Sequence, residues 1–576
     1  MLDLRVPSDT PVTGVKITPY VVARVRGVQN FLQSNPRVKL NPRTVENIRD
    51  EFVFKANPQP LIIFSWFRKK LITCLVHPSI PATVQCISCV ELNMKEKSNH
   101  CSAQCFSSEW GKDKICHCNA AAESKTTPGN QQELSHQIRR SGSWPQSPNA
   151  IPEQEGEEWV QVASSEKYEP SNDDINSLLM LKCVAIDPEN GNRLSLVQRR
   201  VITNPVIAFP VCSPRRMIHI GSKVDGSAFS VLSYNILADM HAKNHLCCPA
   251  WALEWEYRKQ KLLKEITEYD ADIVCLQEVQ ENHYKDFFEP ELTSSGYSAL
   301  YKRKTNINEL YSAEGFLYEG CAIFYRSDKF EVTMKEEIEF DKNAPIEALE
   351  RPKKGQDGSI PLIKHNVALV VILRLKNGST GCDLQSRICL ANTHLCAGKN
   401  HTNVRASQVA TLIHKLQEIA QSQNIPILIC RDLNSTPGSG PHRLIKQGIN
   451  YGEGRGPVIN LESAYAKLLS SSGIEQREIL ATMDPLNREP RFTYFTPRYS
   501  ETLDYIFYTA DDRLKVVGLL ELPTKRSLGR PLPSPYWPSD HIALMARFRL
   551  VMDCHLINMD HQVRRRTSNC ISITRS

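Results

Sequence analysis

Residues 425–440 read IPILICRDLNSTPGSG, an apolar run that passes directly into an acid and an amide two positions apart. A run of about four to eight apolar residues reads as a buried strand, and side chains two apart on an extended chain point the same way. Asp432 and Asn434 are thereby expected to face one spot where the strand ends. Asp-x-Asn is also good turn chemistry, since both side chains bond nearby backbone and Pro437 with Gly438 completes a turn. The stretch alone does not choose between a turn and a site.

Its surroundings carry the choice further. From about residue 226 onward, FSVLSYNIL (229–237), DIVCLQEV (272–279), GCAIFYR (320–326), NVALVVILRL (366–375), RICLANTHL (387–395), TLDYIFYT (502–509) and DHIALMARFRL (540–550) read as strands. Between them, ALEWEYRKQKLLKEITEY (252–269) and VRASQVATLIHKLQEIAQS (404–422) read as amphipathic helices. The second places apolar residues at 409, 412, 413, 416 and 419, which is one helical face. The alternation predicts an α/β domain over 226–550, with two stacked mixed β-sheets flanked by helices.

Polar residues sit at the ends of these strands: Asn235, Glu278, His394, Asp432 with Asn434, Asp504, and Asp540 with His541. Any one buried His or Asp is commonly a satisfied structural group. As a set they are hard oxygen and imidazole donors, suited to Mg²⁺, which keeps several waters and takes one or two carboxylates plus substrate phosphate. In-line attack on a phosphodiester needs a metal, a group that activates water, and donors for the developing charge. The sequence has no Walker loop and no G-x-G-x-x-G before a helix.

Upstream, seven cysteines fall between Cys74 and Cys118 as C74-x-x-H77, C86-x-x-C89 and C101-x-x-x-C105, then Cys116, His117 and Cys118. Short regular pairs of soft ligands suit tetrahedral zinc, each pair spanning two corners of one ion. So small a module, 74–118, folds on its metal rather than on apolar burial. Around it, LIIFSWFR (61–68) and the segment 159–187 have strand character. They read as two halves, 1–73 and 157–210, of a β-sandwich-like, immunoglobulin-like region, with Trp66 on an inner strand and Tyr168 at a corner before Cys183. Residues 119–156, rich in Ser, Pro, Asn, Gln and Glu, read as a disordered linker, and 551–576 as a basic tail. Runs such as LIIF (61–64) and VALVVIL (367–373) are too short to cross a bilayer, and MLDLRVPSDT lacks the features of a secretory signal. The nineteen cysteines are therefore expected as thiols or metal ligands, and the net charge of +7 permits an anionic partner without demanding one.

SYNILAD, WALEWEYRKQKLLKEI, ADIVCLQEV, GCAIFYR, ANTHL, CRDLNS, LDYIFYT and PSDHIAL occur in the order seen in the endonuclease/exonuclease/phosphatase superfamily. Within it the chain resembles the carbon catabolite repressor 4 deadenylases, in the plant type whose N-terminal part carries a MYND-type zinc finger in place of leucine-rich repeats. The resemblance implies one zinc ion on Cys74, His77, Cys101 and Cys105 and another on Cys86 and Cys89 with late ligands, among them His117. It implies Glu278 and Asp540 as acids at one or two Mg²⁺ ions, with Asn235 beside Glu278. Asp432 would orient or deprotonate the attacking water, Asn434 and His394 would contact the phosphate, and His541, held by Asp504, would stabilise the pentacovalent phosphorus. Asn366, Phe495 and Tyr499 would meet substrate, the aromatics by stacking on adenine.

Two positions depart from the family pattern. Arg431 stands where the family has glycine before the acid, and Tyr494 where it has asparagine after Phe-Thr. The implied activity is a Mg²⁺-dependent 3′-to-5′ exoribonuclease that shortens poly(A) tails. Its implied partners are poly(A) RNA, the NOT scaffold and a second deadenylase subunit, reached through the finger and a proline-containing peptide. The implied setting is nucleus and cytoplasm, with no membrane. Two alternatives stand beside it: a nocturnin-type phosphatase of adenine nucleotides, and a zinc-finger adaptor whose nuclease domain Arg431 has weakened.

Overall fold

The computed structural model describes residues 2–24, 31–33, 61–70, 74–77, 80, 82, 84–86, 99–109, 138–140, 159–186, 199–212, 214–221, 228–305, 318–342, 365–376, 386–421, 425–447, 460–470, 476–511 and 513–551. The chain forms two compact units, Met1–Pro210 and Val211–Ser576.

In the first unit, Leu61–Lys70 pairs antiparallel with Val160–Ala163 on one side and Ser177–Ile186 on the other, and Arg199–Ile202 closes a four-stranded sheet. Alternate side chains of the two long strands, Phe64, Trp66, Leu179, Leu181 and Cys183, turn to one face. There they share a core with Leu4, Ile17 and Val206. Trp66 is fully buried, its ring stacks on Tyr168 with centroids 5.5 Å apart, and its Nε1 donates to the Ser165 carbonyl. Tyr168 in turn donates from its hydroxyl to Asp174 at 2.8 Å, and Arg68 pairs with the same carboxylate at 3.1 Å. This is an antiparallel sheet additional to the α/β unit. Of the stretch 119–156, all but Ile138–Arg140 lies outside the described residues, and the tail beyond Val551 does so entirely.

The second unit has two mixed sheets. The seven-stranded sheet runs Met217–His219, Leu514–Leu520, Leu544–Leu550, Ala228–Asn235, Ile273–Gln280, Glu319–Arg326, Tyr297–Arg303. The six-stranded sheet runs Phe330–Glu339, Val367–Leu375, Arg387–His394, Ile427–Asp432, Asp504–Thr509, Leu461–Ser463. Their inner faces meet in one core, where Val231, Ile273 and Ile323 of one sheet pack with Val371, Leu390, Leu428 and Ile506 of the other. The helix Thr402–Gln421 covers the outer face of the six-stranded sheet through Val409, Leu412, Ile413, Leu416 and Ile419, the positions its periodicity marks. The helix Trp255–Tyr269 covers the other sheet through Leu262 and Ile266.

The helix expected over 252–269 is interrupted. Glu254 is extended, ending a short turn Ala250–Leu253 and starting the helix proper. The break lets Trp255 lie flat on His283, with ring centroids 3.6 Å apart. In both sheets a parallel pair lies at the centre, Ala228–Asn235 with Ile273–Gln280 and Arg387–His394 with Ile427–Asp432. Parallel neighbours end at the same rim. Asn235, Glu278, His394 and Asp432 are therefore delivered to one edge of the sandwich.

Candidate active site

The Asn235 amide is the hinge of the cluster, donating to Glu278 Oε1 at 3.1 Å and to Asp432 Oδ2 at 3.0 Å, so it ties the two sheets together. Glu278 sits in a register irregularity between Leu276 and Val279, with φ of 58°. A bulge re-aims a side chain that regular pairing would send elsewhere. The Ala238 amide donates to its Oε2 at 2.9 Å. Burial opposes ionisation of Glu278, but His241, the Ala238 amide and Asn235 outweigh it and hold the carboxyl below its usual range.

Asp432 and Asn434 answer the question of turn or site with both. The strand ends at Asp432, and Asn434 takes the left-handed conformation at φ 49°. Asp432 Oδ1 accepts from the Asn434 backbone amide at 2.8 Å, while Oδ2 stays with Asn235. The two side chains converge because the chain turns, and not by strand alternation as the sequence suggested. Asn434 Nδ2 reaches the Leu395 carbonyl at 3.0 Å and His394 Nε2 at 2.9 Å.

Opposite stands a hydrogen-bonded Asp–His pair. His541 Nδ1 is 2.8 Å from Asp504 Oδ2, which also accepts from the Thr493 hydroxyl at 2.6 Å. His541 Nε2 lies 3.7 Å from Asp432 Oδ2. Although burial disfavours its charge, Asp504 and Asp432 raise His541 well above the usual histidine value. Burial, then Lys304 and His541, push His394 well below it. The same rim thus favours the charged form of one imidazole and the neutral form of the other, a difference set by environment. Burial and the charge of Asp504 push the Asp432 carboxyl up to about 7, against the opposing pull of His541, Asn434 and Asn235. A carboxylate poised there matches a general base working near neutral pH.

The donor set fits a hard cation. Glu278 and Asp540 offer carboxylate oxygens, and Asp540 Oδ1 is buried with no hydrogen-bond partner among the described residues. Asp432, Asp504 and His541 also lie close enough to share an ion, but Asp504 Oδ2 already accepts from two donors. That makes Asp504 the orienting partner of His541. Asn366 is corrected from substrate contact to support: it is buried, its Nδ2 donates to the His394 carbonyl at 2.9 Å, and its Oδ1 accepts from Gln408 at 3.1 Å. Phe495 packs against Phe492 with Lys525 5.3 Å above its ring, and Lys399 lies 5.6 Å over Tyr499. Tyr494, the unexpected residue, puts its ring edge-to-face against His541 at 4.9 Å.

Arg431 faces away from the site, its guanidinium 4.8 Å over Phe507 in the layer beneath the helix Thr402–Gln421. It is fully buried, and its backbone is regular strand without a positive φ, so nothing there requires glycine. Sequence reasoning missed Arg258. Fully buried, it donates from Nη1 to the carbonyls of Ile236 and Pro538, at 3.1 and 3.0 Å, stapling the loop after Asn235 to the loop before Asp540. The signal was a cation four residues before Leu262 on the apolar stripe of its helix.

In the first unit, Cys74, His77, Cys101 and Cys105 converge. Cys74 and Cys105 sulfurs are 3.7 Å apart, and His77 Nδ1 lies 3.7, 3.4 and 3.5 Å from Cys74, Cys101 and Cys105. Tetrahedral zinc with bonds of about 2.0–2.3 Å separates its ligands by roughly 3.5–3.8 Å, so these four fit one ion. The side chains of Cys86, Cys89 and His117 lie outside the described residues.

Stacked mixed sheets with this acid, amide and histidine rim define a hydrolase of the α/β sandwich type. The chain belongs to the endonuclease/exonuclease/phosphatase family, whose model matches residues 232–541. It is 37% identical to carbon catabolite repressor protein 4 homolog 1 of Arabidopsis thaliana, over 95% of this chain and 98% of that one. It is 31% identical to the CCR4-Not complex 3′-5′-exoribonuclease subunit Ccr4 of Mycosarcoma maydis, over 56% of this chain and 50% of that one. Among solved structures, the human nocturnin catalytic domain with bound sulfate matches at 26% identity and a TM-score of 0.42, covering 58% of this chain and 98% of that one. The chain is thus a homologue of 3′-5′ exoribonucleases of the CCR4-Not type.

Proposed function

We propose that this protein is a Mg²⁺-dependent 3′-to-5′ exoribonuclease that shortens poly(A) tails as a catalytic subunit of a NOT-scaffolded deadenylase. The observation that carries the reading is the placement of Asp432 between Asn235 and a cationic His541, at a rim that also presents Glu278 and Asp540. Bound at Glu278 and Asp540, Mg²⁺ would offset phosphate charge and ease departure of the leaving oxygen.

Asp432 takes the proton of a water whose oxygen attacks the phosphorus joining the last two nucleotides. A new P–O bond forms there, and the bond from phosphorus to the 3′ oxygen of the penultimate nucleotide breaks. That oxygen leaves with a solvent proton, giving 5′-AMP and a shortened RNA. His541, kept charged by Asp504, and Asn434 donate to the non-bridging oxygens, where charge accumulates. Phe495 and Tyr499 offer ring faces to adenine. Zinc at Cys74, His77, Cys101 and Cys105 holds a MYND-like finger beside an immunoglobulin-like sandwich, and the finger takes a proline-containing peptide of the scaffold or of a second deadenylase. The enzyme then works in nucleus and cytoplasm.

The purified chain with Mg²⁺, given A-tailed RNA, mixed-sequence RNA and a dinucleotide phosphate in parallel, is expected to release 5′-AMP stepwise from the A-tail. Selective phosphate release from the dinucleotide would replace this reading with the adenine-nucleotide phosphatase. Inertness toward all three would favour the adaptor.

A further inference from the structure

The two oxygens of Asp540 stand in different surroundings. Oδ2 lies 3.2 Å from His245 Nε2, whereas Oδ1 is buried, without a hydrogen-bond partner among the described residues, and 4.0 Å from His541 Nε2. A buried carboxylate oxygen left unpaired is costly, and such an orphan in a folded protein points to something that completes it. The backbone around Asp540 is fixed by other means: Arg258 holds the Pro538 carbonyl, the Ser539 hydroxyl donates to the Asn235 carbonyl at 2.7 Å, and the Phe495 amide donates to the Asp540 carbonyl at 3.1 Å. None of these contacts sets the rotation of the carboxylate itself. His245 does.

His245 belongs to neither sheet. It sits in the loop between the strand that ends at Asn235 and the helix that begins at Trp255, with its side chain 13% exposed. We propose that His245 is a positioning residue for the divalent-cation site: by pinning Oδ2 it turns Oδ1 of Asp540 toward the rim where Glu278 lies, so that the free oxygen is available to the cation or to a water bound on it. Groups that orient a metal-binding carboxylate act on affinity without touching the ion. The inference rests on the Mg²⁺ requirement in the proposed function, but not on the identity of the substrate.

The test is a calorimetric Mg²⁺ titration of the full chain without RNA, on wild type, His245→Ala and His245→Gln. His245→Ala is expected to weaken Mg²⁺ binding by about ten-fold or more. Its melting temperature without Mg²⁺ is expected to fall slightly, because Asp540 Oδ2 loses its partner, and a single retained folding transition separates the loss of Mg²⁺ affinity from unfolding. His245→Gln keeps an N–H donor and is expected to recover part of the loss. At saturating Mg²⁺ the KM for RNA should return to the wild-type value in both variants. Unchanged Mg²⁺ affinity in His245→Ala overturns the proposal, as does a wild type that binds no Mg²⁺. If His245→Ala weakens Mg²⁺ binding while wild type leaves A-tailed RNA intact, the positioning role stands and the deadenylase reading falls.

Discussion

Replacing Arg431 with methionine separates the chemistry of the site from the stability of the sheet behind it. The guanidinium is fully buried, and none of its three nitrogens has a hydrogen-bond partner among the described residues. Burial pulls it down to about 9 from an ordinary 12.5, against the opposing pull of Tyr505, Asp432 and Glu489. Holding a group that far from its usual value corresponds to about 5 kcal/mol of lost stability. Methionine fills much of the same space against Phe507 without the charge, at the loss of a cation–π contact worth roughly 0.5–2 kcal/mol. The expected net is a stabilisation of about 3–4 kcal/mol, at the upper end of the range seen when buried charges give way to apolar side chains.

The gain is complete below about pH 9 and shrinks as pH rises beyond it, because wild type escapes its penalty only by losing the proton in the folded state. Scanning calorimetry of both proteins at pH 7 should show the transition of the second unit moved up by several degrees in Arg431→Met. Filter binding of an A-tailed RNA over a salt series should give the same slope for both. A lowered melting point together with a slope reduced by about one would refute the reasoning, since it would make Arg431 a phosphate contact. Arg431→Gly is a poorer probe, because it empties the space against Phe507 and adds a cavity cost.

Glu278→Gln keeps shape and loses charge, so turnover should vanish while the protein stays folded with a melting point near that of wild type; near-normal turnover with intact Mg²⁺ affinity would reject its role at the metal. The rate should rise with pH through about 7 as Asp432 loses its proton, and in Asp504→Asn that limb should move to lower pH while the plateau falls, because the charge that raises Asp432 and orients His541 is gone. A pH–rate profile of the two proteins decides this. Cys105→Ser, or a zinc-selective chelator with Mg²⁺ kept in excess, should release zinc measured by a colorimetric dye and abolish capture of a scaffold peptide, with RNA hydrolysis by the full chain unchanged.

The strands and the helix Thr402–Gln421 were legible because continuous apolar runs and a regular apolar face are written directly into the order of residues. Asn235, Glu278, His394, Asp432, Asp504 and His541 were legible because each interrupts or ends such a run. The conformations that aim Glu278 and Asn434 were not. Both adopt left-handed backbone without glycine; Asn434 is a residue type that favours it, so the turn there could be anticipated, whereas nothing about Glu278 announces its bulge. Asn366 misled for a related reason: an amide opening a strand reads the same whether it faces substrate or props a histidine, and only the bond from Gln408 tells the two apart. His245 and Arg258 act through contacts with residues 538–540, and no periodicity links positions so distant.

That distance has a consequence during synthesis. Asn235 and Ser539, whose hydrogen bond helps close the rim, are 304 positions apart, and the strand Leu544–Leu550 inserts between Leu514–Leu520 and Ala228–Asn235. A nascent chain that has left the ribosome only as far as the Asp432 strand owns Asn235, Glu278 and Asp432, but has neither His541 nor Asp504 to balance them. Under the proposed reaction, such a chain is expected to be inert toward RNA until those residues arrive. Until the last strand arrives, the edge of Ala228–Asn235 also lies open to pairing with another chain, an exposure that only the C-terminal strand ends.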